Sequence, residues 1–155
     1  VQTCALPISL KVLREQGREF EAVALLEPTS PFRTAEIVDT CLDKLFTPET
    51  QTVVTVTQLE RNPRFIFSVE GDAACFFVRD PEIKFTRRQH FSHLKRLNGC
   101  VYALRSENLL QGRLIVEPIK VVEMPPERSI NIDTLADLKI AQLYAGEFAD
   151  ASAAD

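Results

Sequence analysis

Several features that mark common protein classes are missing from this 155-residue chain. No apolar run approaches the roughly 20 residues that a membrane span requires, and no charged-then-apolar leader opens the sequence. The four cysteines lie far apart and form no CxxC pair, which argues against a zinc site or a disulfide framework. We therefore expect a cytoplasmic protein that binds no membrane, with Cys41 and Cys100 as reduced core residues.

Glycine and histidine are also scarce. The five glycines are isolated from one another, so no glycine-rich phosphate loop is present. His90 and His93 have no third metal ligand nearby in sequence and are interpreted as surface residues. The net charge is −4 and the 18 basic side chains are spread along the chain, which argues against a nucleic-acid partner. Any anionic ligand must therefore be held by a few local residues.

The composition is that of a folded domain, because 45% of the residues are hydrophobic and ten are phenylalanine. Helical and strand patterns alternate along the chain, which predicts an α/β fold with a parallel, helix-covered sheet. The predicted strands are 22–26, 52–57, 100–104 and 119–122. The predicted helices are 9–17, a segment between Thr34 and Pro48, and 134 to about 144, where Thr134 and Asp137 form a capping box.

Residues 62–97 interrupt this alternation. Two short aromatic strands, 65–67 and 75–78, are predicted to form a hairpin across Gly71-Asp72. The segment contains more phenylalanine than one small hairpin can bury. We therefore expect part of it to pack against a second copy of the chain in a homodimer.

The two ends of the chain carry separate predictions. Residues 1–8 match the translation of a common sequencing adapter, so we hypothesise that they are an assembly artefact and that the natural protein continues upstream. Residues 9–147 then form the domain. Residues 148–155 are small and acidic and are expected to be a flexible tail.

Polar clusters occur where the predicted strands meet loops. The first, Glu27-Pro28-Thr29-Ser30-Pro31-Phe32-Arg33, ends an apolar run, and the carboxyl ends of strands are where open α/β sheets bind ligands. The others are Arg87-Arg88-Gln89, Arg96 with Asn98-Gly99, and Asn131-Ile132-Asp133. Each cluster alone has an ordinary explanation as a turn, a solvated basic face or a helix cap.

Taken in order, these clusters resemble the acylneuraminate cytidylyltransferases, also called CMP-sialic acid synthetases. The resemblance covers about residues 20–145 and includes the flanking Leu25-Leu26, Cys100-Val101-Tyr102 and Arg128-Ser129-Ile130. It implies a Rossmann-like three-layer nucleotidyltransferase sheet with an inserted β-hairpin dimerisation subdomain. It also implies transfer of CMP from CTP to a nine-carbon 2-keto sugar acid, with Mg²⁺ as cofactor, pyrophosphate as product and a role in surface-glycan biosynthesis.

The resemblance also implies roles for individual residues. Arg88 falls where the family binds the carboxylate of the sugar, and Asp133, accompanied by Asn131, falls at the metal position. The remaining substrate-binding positions that it implies are Glu27, Thr29, Ser30, Arg33, Gln89, Arg96, Asn98 and Tyr102. A guanidinium suits a carboxylate, and hard carboxylate oxygen suits Mg²⁺.

Three departures from the family pattern affect these expectations. Glu27 replaces the usual Gln, so a legionaminate- or pseudaminate-type sugar fits as well as sialate. Asn131 stands where a second Asp is common. The strand and phosphate-cradling loop that open the family are missing, so we expect the 155-residue chain alone to be inactive. The alternatives are a non-catalytic binding or assembly module of the same fold, and a cytidylyltransferase for an eight-carbon keto sugar acid.

Overall fold

A computed structural model of the chain describes residues 5–78 and 93–152, with no side-chain description for 5, 64 and 149–152. The chain divides into two units: one combines the chain up to Thr57 with the chain from Leu97 onward, and the other is Gln58–Arg96. The two units are described separately below. The sequence predicted a substrate-binding segment at Arg87, Arg88 and Gln89. These three residues lie outside the described residues.

Helices and strands alternate in the first unit. Its elements, of which β5 begins in the second unit, are α1 (Ala5–Glu15), β1 (Ala22–Leu25), α2 (Ala35–Leu45), β2 (Thr52–Gln58), β5 (Lys95–Arg105), α3 (Ser106–Leu110), β6 (Ile119–Glu123) and α4 (Leu135–Ser152). The short run of apolar residues in β1 and the β-branched run in β2 favour strand over helix. A 3₁₀ turn, Pro126–Arg128, precedes α4.

The described strands of this unit form one mixed sheet in the order β1-β5-β2-β6. β1 pairs antiparallel with β5, and β2 pairs parallel with β6. β5 is also antiparallel to β2, because the Arg105 N–H donates to the Gln51 carbonyl at 3.3 Å and the Val101 N–H donates to Thr55 Oγ1 at 2.9 Å. Three strands therefore run one way, and their carboxyl ends share an edge with the part of β5 that begins at Leu97. We call this the carboxyl edge.

The prediction of an entirely parallel sheet was wrong, since β5 runs against its neighbours. β1 lies at the end of the described sheet, and all four of its residues are half-buried. Hydrophobic pattern identifies a strand but not its neighbours, and this is why the error arose.

Two apolar clusters cover the two faces of the sheet. Cys41 and Leu45 of α2 pack with Val101 and Ala103 of β5, whereas Leu104 of β5 packs with α1 and α3. Successive side chains of a strand point to opposite faces, so α2 lies on one face of the sheet and α1 and α3 on the other. Helices on both faces of a mixed sheet confirm the α/β class.

Three elements of this unit differ clearly from their predicted boundaries. α1 begins at Ala5 instead of residue 9, within the segment that was hypothesised to be an artefact. β5 begins at Lys95, so Asn98-Gly99 lies inside a strand, where Gly99 has a φ of +74°. α4 continues to Ser152 instead of ending near Tyr144, and Gly146 lies within the helix. One glycine lowers helix stability by roughly 1 kcal/mol, which is too little to end a helix whose flanking residues favour it.

The second unit contains an antiparallel hairpin. A 3₁₀ turn, Pro63–Phe65, precedes β3 (Phe67–Glu70), which pairs with β4 (Ala73–Phe76) across Gly71 at a φ of +59°. The predicted strand segments were therefore displaced by about two residues. All eight strand residues are exposed, although the Phe67 and Phe76 rings lie 4.8 Å apart.

In the part of the chain that the structure describes, no helix combines the length and the apolar character needed to cross a bilayer.

Candidate functional site at the carboxyl edge

The loop after β1 is held in one conformation by its own groups. The Ser30 N–H donates to the Glu27 carbonyl at 3.2 Å, which closes a turn. Nη1 of Arg33 donates to the carbonyls of Glu27 and Ser30, at 2.6 and 2.9 Å. Arg33, predicted to contact substrate, is thus occupied in the structure by binding the loop that carries the other predicted residues.

A second loop, residues 124–134, meets the first loop directly. The Ile132 N–H donates to the Thr29 carbonyl at 2.9 Å, and the Ser30 hydroxyl donates to Oδ1 of Asn131 at 3.3 Å. Ser30 is only 1% exposed, so its hydroxyl needs such a partner. The structure therefore brings together two clusters that are about a hundred residues apart in sequence.

Asp133 lies at the exposed end of this second loop. Nδ2 of Asn131 donates to Oδ2 of Asp133 at 2.9 Å, and the Asp133 N–H donates to Oδ2 of Asp137 at 3.2 Å. Asp133 is exposed, and its Oδ1 has no hydrogen-bond partner among the described residues. The side chain is therefore oriented on one side and open on the other.

Asn98 is buried at the carboxyl edge, in the part of β5 that lies at this edge. Its amide nitrogen donates to the Ser129 hydroxyl at 3.0 Å and approaches the Met124 sulfur at 3.3 Å, while its Oδ1 accepts the Cys100 N–H at 3.2 Å. Asn98 is 4% exposed. The predicted ligand-binding residue thus joins β5 to the 124–134 loop.

Tyr102 lies beside Glu27. Burial raises the pKa of the Tyr102 hydroxyl, and the nearby Glu27 carboxylate raises it further. Because both effects disfavour the phenolate, Tyr102 remains a neutral hydrogen-bond donor across the physiological range. Glu27 and Tyr102 are both half-buried, so a ligand at this edge can reach a carboxylate and a hydroxyl together.

Buried Cys100 adjoins the loop that follows β1. Burial raises the pKa of the Cys100 thiol, whereas the charge of Arg33 and hydrogen bonds from Arg33 and Ser30 oppose that rise. The thiol is therefore a neutral, buried neighbour of the loop and not a nucleophile.

The remaining predicted residues are outside the site that the structure describes. Arg88 and Gln89 are outside the described residues, as stated above. Arg96 is exposed and belongs to the second unit. The site that the structure describes consequently consists of Glu27, Thr29, Ser30, Arg33, Asn98, Tyr102, Asn131 and Asp133.

The described residues at this edge offer Mg²⁺ few oxygen ligands. Among the described residues no group of three or more His, Cys, Asp or Glu side chains could hold a metal ion. Mg²⁺ needs few protein ligands, since water and substrate phosphates complete its shell, and Oδ1 of Asp133 can serve as one. Asn131, predicted as a second ligand, instead uses its amide to orient Asp133 and to accept from Ser30.

Two buried polar residues of this region were not among the predicted site residues. Ser129 is 3% exposed, accepts from Asn98, and donates to the Pro125 carbonyl at 2.8 Å. Thr57, at the carboxyl end of β2, is 1% exposed and its hydroxyl has no hydrogen-bond partner in the described part of the chain. The sequence does not distinguish Thr57 from Thr52 and Thr55 of the same strand.

A scan against models of protein families and a search of curated proteins found no match to this chain.

Proposed function

We propose that this chain forms the sugar-binding and metal-binding part of a cytidylyltransferase that transfers CMP from CTP to a nine-carbon 2-keto sugar acid. The observation that carries the proposal is the contact between the two loops, Thr29 with Ile132 and Ser30 with Asn131. Both loops carry motifs that resemble the acylneuraminate cytidylyltransferases. A turn alone explains the first motif, and a helix cap alone explains the second. Neither explanation requires the two loops to be in contact.

The proposal extends to a Rossmann-like arrangement in which substrates bind at the carboxyl edge. In open α/β sheets, ligands bind outside the carboxyl ends of the strands. The proposed residues of the first unit lie at that edge, which supports the assignment. We further propose that an upstream strand pairs with β1 and brings the phosphate-binding loop, since half-buried β1 has only β5 as a described neighbour.

The proposed reaction is a displacement at the α-phosphorus of CTP. The anomeric oxygen of the sugar acid forms the new O–P bond as its proton passes to solvent water, and the bond from the α-phosphorus to pyrophosphate breaks. Bound Mg²⁺ would offset the negative charge of the phosphates. Asp133 presents its free oxygen for the metal, Arg88 binds the sugar carboxylate, and Glu27 and Tyr102 hydrogen-bond sugar substituents.

The test is pyrophosphate release with CTP and a panel of keto sugar acids that includes sialate, legionaminate, pseudaminate and an eight-carbon acid. The assay compares the 155-residue chain with a version extended to its natural upstream sequence. We expect turnover only from the extended version and only with a nine-carbon acid. Release with none of the nine-carbon acids by the extended protein would refute the proposal.

Single substitutions in the extended protein separate the two proposed roles. Asp133→Asn should lower kcat by about a hundredfold and shift the Mg²⁺ dependence, because a metal ligand contributes several kcal/mol of charge stabilisation. Arg88→Ala should mainly raise the KM for the sugar acid. Asp39→Asn, which removes an exposed carboxylate from α2, is the matched control and should leave both parameters unchanged. Equal effects of Asp39→Asn and Asp133→Asn would contradict the assigned role of Asp133.

A second candidate is a non-catalytic binding module of the same fold. It is favoured by one observation: the side chains of Ser30, Arg33 and Asn98 are engaged by the protein itself, so the edge is held together without substrate. Calorimetry on the extended protein distinguishes the two. Saturable binding of the sugar acid without pyrophosphate release would favour the module.

A further inference from the structure

Ser30 lies where a bound substrate does not reach it. The sequence predicted that this residue contacts substrate, but the structure leaves it only 1% exposed. Its backbone is held on both sides, because the Ser30 N–H donates to the Glu27 carbonyl at 3.2 Å and the Ser30 carbonyl accepts from Arg33 at 2.9 Å. A side chain that is buried and fixed in this way acts on a ligand only through another residue.

Asn131 connects Ser30 to Asp133. The Ser30 hydroxyl donates to Oδ1 of Asn131 at 3.3 Å, and Nδ2 of Asn131 donates to Oδ2 of Asp133 at 2.9 Å. An ionised carboxylate only accepts hydrogen bonds, so the amide nitrogen must face Asp133 and the amide oxygen must face Ser30. The hydrogen bonds therefore run in one direction, from Ser30 through Asn131 to Asp133.

Cys100 is a second neighbour of the Ser30 hydroxyl, which has one proton to donate. Burial raises the pKa of the Cys100 thiol, so the sulfur keeps its own proton at neutral pH. The thiol can donate that proton to the Ser30 oxygen, and Ser30 then donates to Asn131. The two contacts of the Ser30 hydroxyl are therefore compatible.

We propose that Ser30 is a positioning residue that orients the Asp133 carboxylate through Asn131. The Asn131 amide holds Oδ2 of Asp133, and Oδ1, which has no hydrogen-bond partner among the described residues, is left for a ligand. An exposed side chain otherwise samples several rotamers, so this restraint reduces the entropy that is lost when a ligand binds. The inference rests on the function proposed above only in taking that ligand to be Mg²⁺.

The first test needs no substrate and uses the 155-residue chain. Carbon NMR at neutral pH follows the carboxyl carbon of Asp133, which is assigned by its absence from Asp133→Ala. Ser30→Ala should shift this signal, although the two side chains are joined only through Asn131. In a chain that already carries Asn131→Ala, the same Ser30→Ala change should leave the signal where it was.

Ser106→Ala is the matched control, because Ser106 is also a buried serine, at 4% exposed, and lies at the start of α3. It should not shift the Asp133 signal. Ser30→Cys, which keeps a weaker donor of similar shape, gives the same comparison if Ser30→Ala does not fold. An unshifted signal in the Ser30 variants, or an equal shift with and without Asn131, would overturn the proposal.

The second test uses pyrophosphate release by the extended protein. Ser30→Ala should raise the Mg²⁺ concentration that gives half-maximal rate by about tenfold, the effect of losing a residue that orients a metal ligand, and should leave the KM for the sugar acid unchanged. A raised KM with an unchanged Mg²⁺ dependence would instead make Ser30 a substrate contact and overturn its positioning role. An extended protein that releases no pyrophosphate refutes the proposed function, and the NMR comparison alone then decides whether Ser30 orients Asp133.

Discussion

Asn98 and Asp133 show that polar residues at one edge of a sheet can have opposite environments. Asn98 is 4% exposed and all of its hydrogen-bonding groups are directed at protein atoms, whereas Asp133 is exposed with one free oxygen. The first residue determines the shape of the edge, and the second is available to a ligand. Substitution of the two should therefore affect different measurements.

Asn98→Ala should lower the free energy of unfolding by about 1–3 kcal/mol, because it leaves the Cys100 N–H and the Ser129 hydroxyl without this buried partner. Urea denaturation followed by circular dichroism measures the change. Gln142→Ala, an exposed amide on α4, is the control and should change stability little. A loss no larger than that of the control would contradict the bridging role of Asn98.

Cys41 should make stability depend on alkaline pH. The side chain is fully buried, and burial raises the pKa of its thiol to about 11. The unfolded chain then loses this proton first, so between about pH 9 and 11 the free energy of unfolding should fall by up to about 1.4 kcal/mol per pH unit. Cys41→Ala should make that slope shallower. Val53→Ala, a cavity-forming change in the same cluster, should keep it. Identical slopes in the two variants would argue against Cys41 as the source.

At the scale of elements, the start of α4 is fixed by a reciprocal pair. The Thr134 N–H donates to Oδ2 of Asp137 at 2.8 Å, and the Asp137 N–H donates to Oγ1 of Thr134 at 3.2 Å. This confirms the capping box. By contrast, Thr34 occupies the N-cap position of α2 without making a side-chain cap bond, although its hydrogen bond to Glu36 lowers the pKa of that carboxyl.

Thr134→Ala should lower the free energy of unfolding by about 1 kcal/mol at neutral pH, the usual effect of losing an N-cap. The hydrogen bonds from Thr134 lower the pKa of Asp137 below its ordinary 3.8, so the part of the stabilisation that comes from the Asp137 carboxylate is present above about pH 4 and is lost as the pH falls further. Thermal denaturation at pH 7 and pH 3 measures both effects. Thr40→Ala, whose hydroxyl bonds within α2, is the control, and a loss there equal to that of Thr134→Ala would contradict the cap assignment.

Local signals predicted the elements better than their arrangement. The apolar run of β1, the β-branched run of β2 and the capping box of α4 each depend on neighbouring residues, and each element formed where the pattern indicated. The place of β5 between β1 and β2 depends on pairing across the sheet, which no local pattern contains. α4 likewise continues past Gly146, beyond the end that its sequence indicated.

The candidate site was predictable to a similar extent. Strand ends followed by polar residues identified Glu27 to Arg33 and Asn131 to Asp133, and the structure brings these loops together. The different roles of the residues within these two loops were not predictable, because they depend on which side chains are buried. Ser30 and Asp133 look equally polar in sequence, but one is 1% exposed and the other is exposed.

At the scale of the whole molecule, the described residues expose several large apolar side chains, among them residues of the second unit and of α4. The hairpin of the second unit exposes Val69 and Phe77 to 67% and 71%, and α4 exposes Leu143 to 72%. Surfaces of this kind commonly mark contacts between proteins. We propose that the hairpin region, within residues 62–97, forms a homodimer contact.

The double change Val69→Asp and Phe77→Asp should shift the chain from dimer to monomer in sedimentation velocity experiments, because it introduces charge into the proposed contact. Leu143→Asp, on the other exposed apolar surface, should leave the dimer intact. A dimer that survives the hairpin changes but dissociates with Leu143→Asp would place the contact on α4 instead.

The bond from Ile132 to Thr29 has a consequence for the order in which the molecule forms. It joins segments about a hundred residues apart, near opposite ends of the described chain. Closing so long a loop is entropically costly and follows contacts of shorter range. A nascent chain that stops before Ile132 therefore contains every strand of the described sheet but lacks the N–H group that closes the edge holding Asp133.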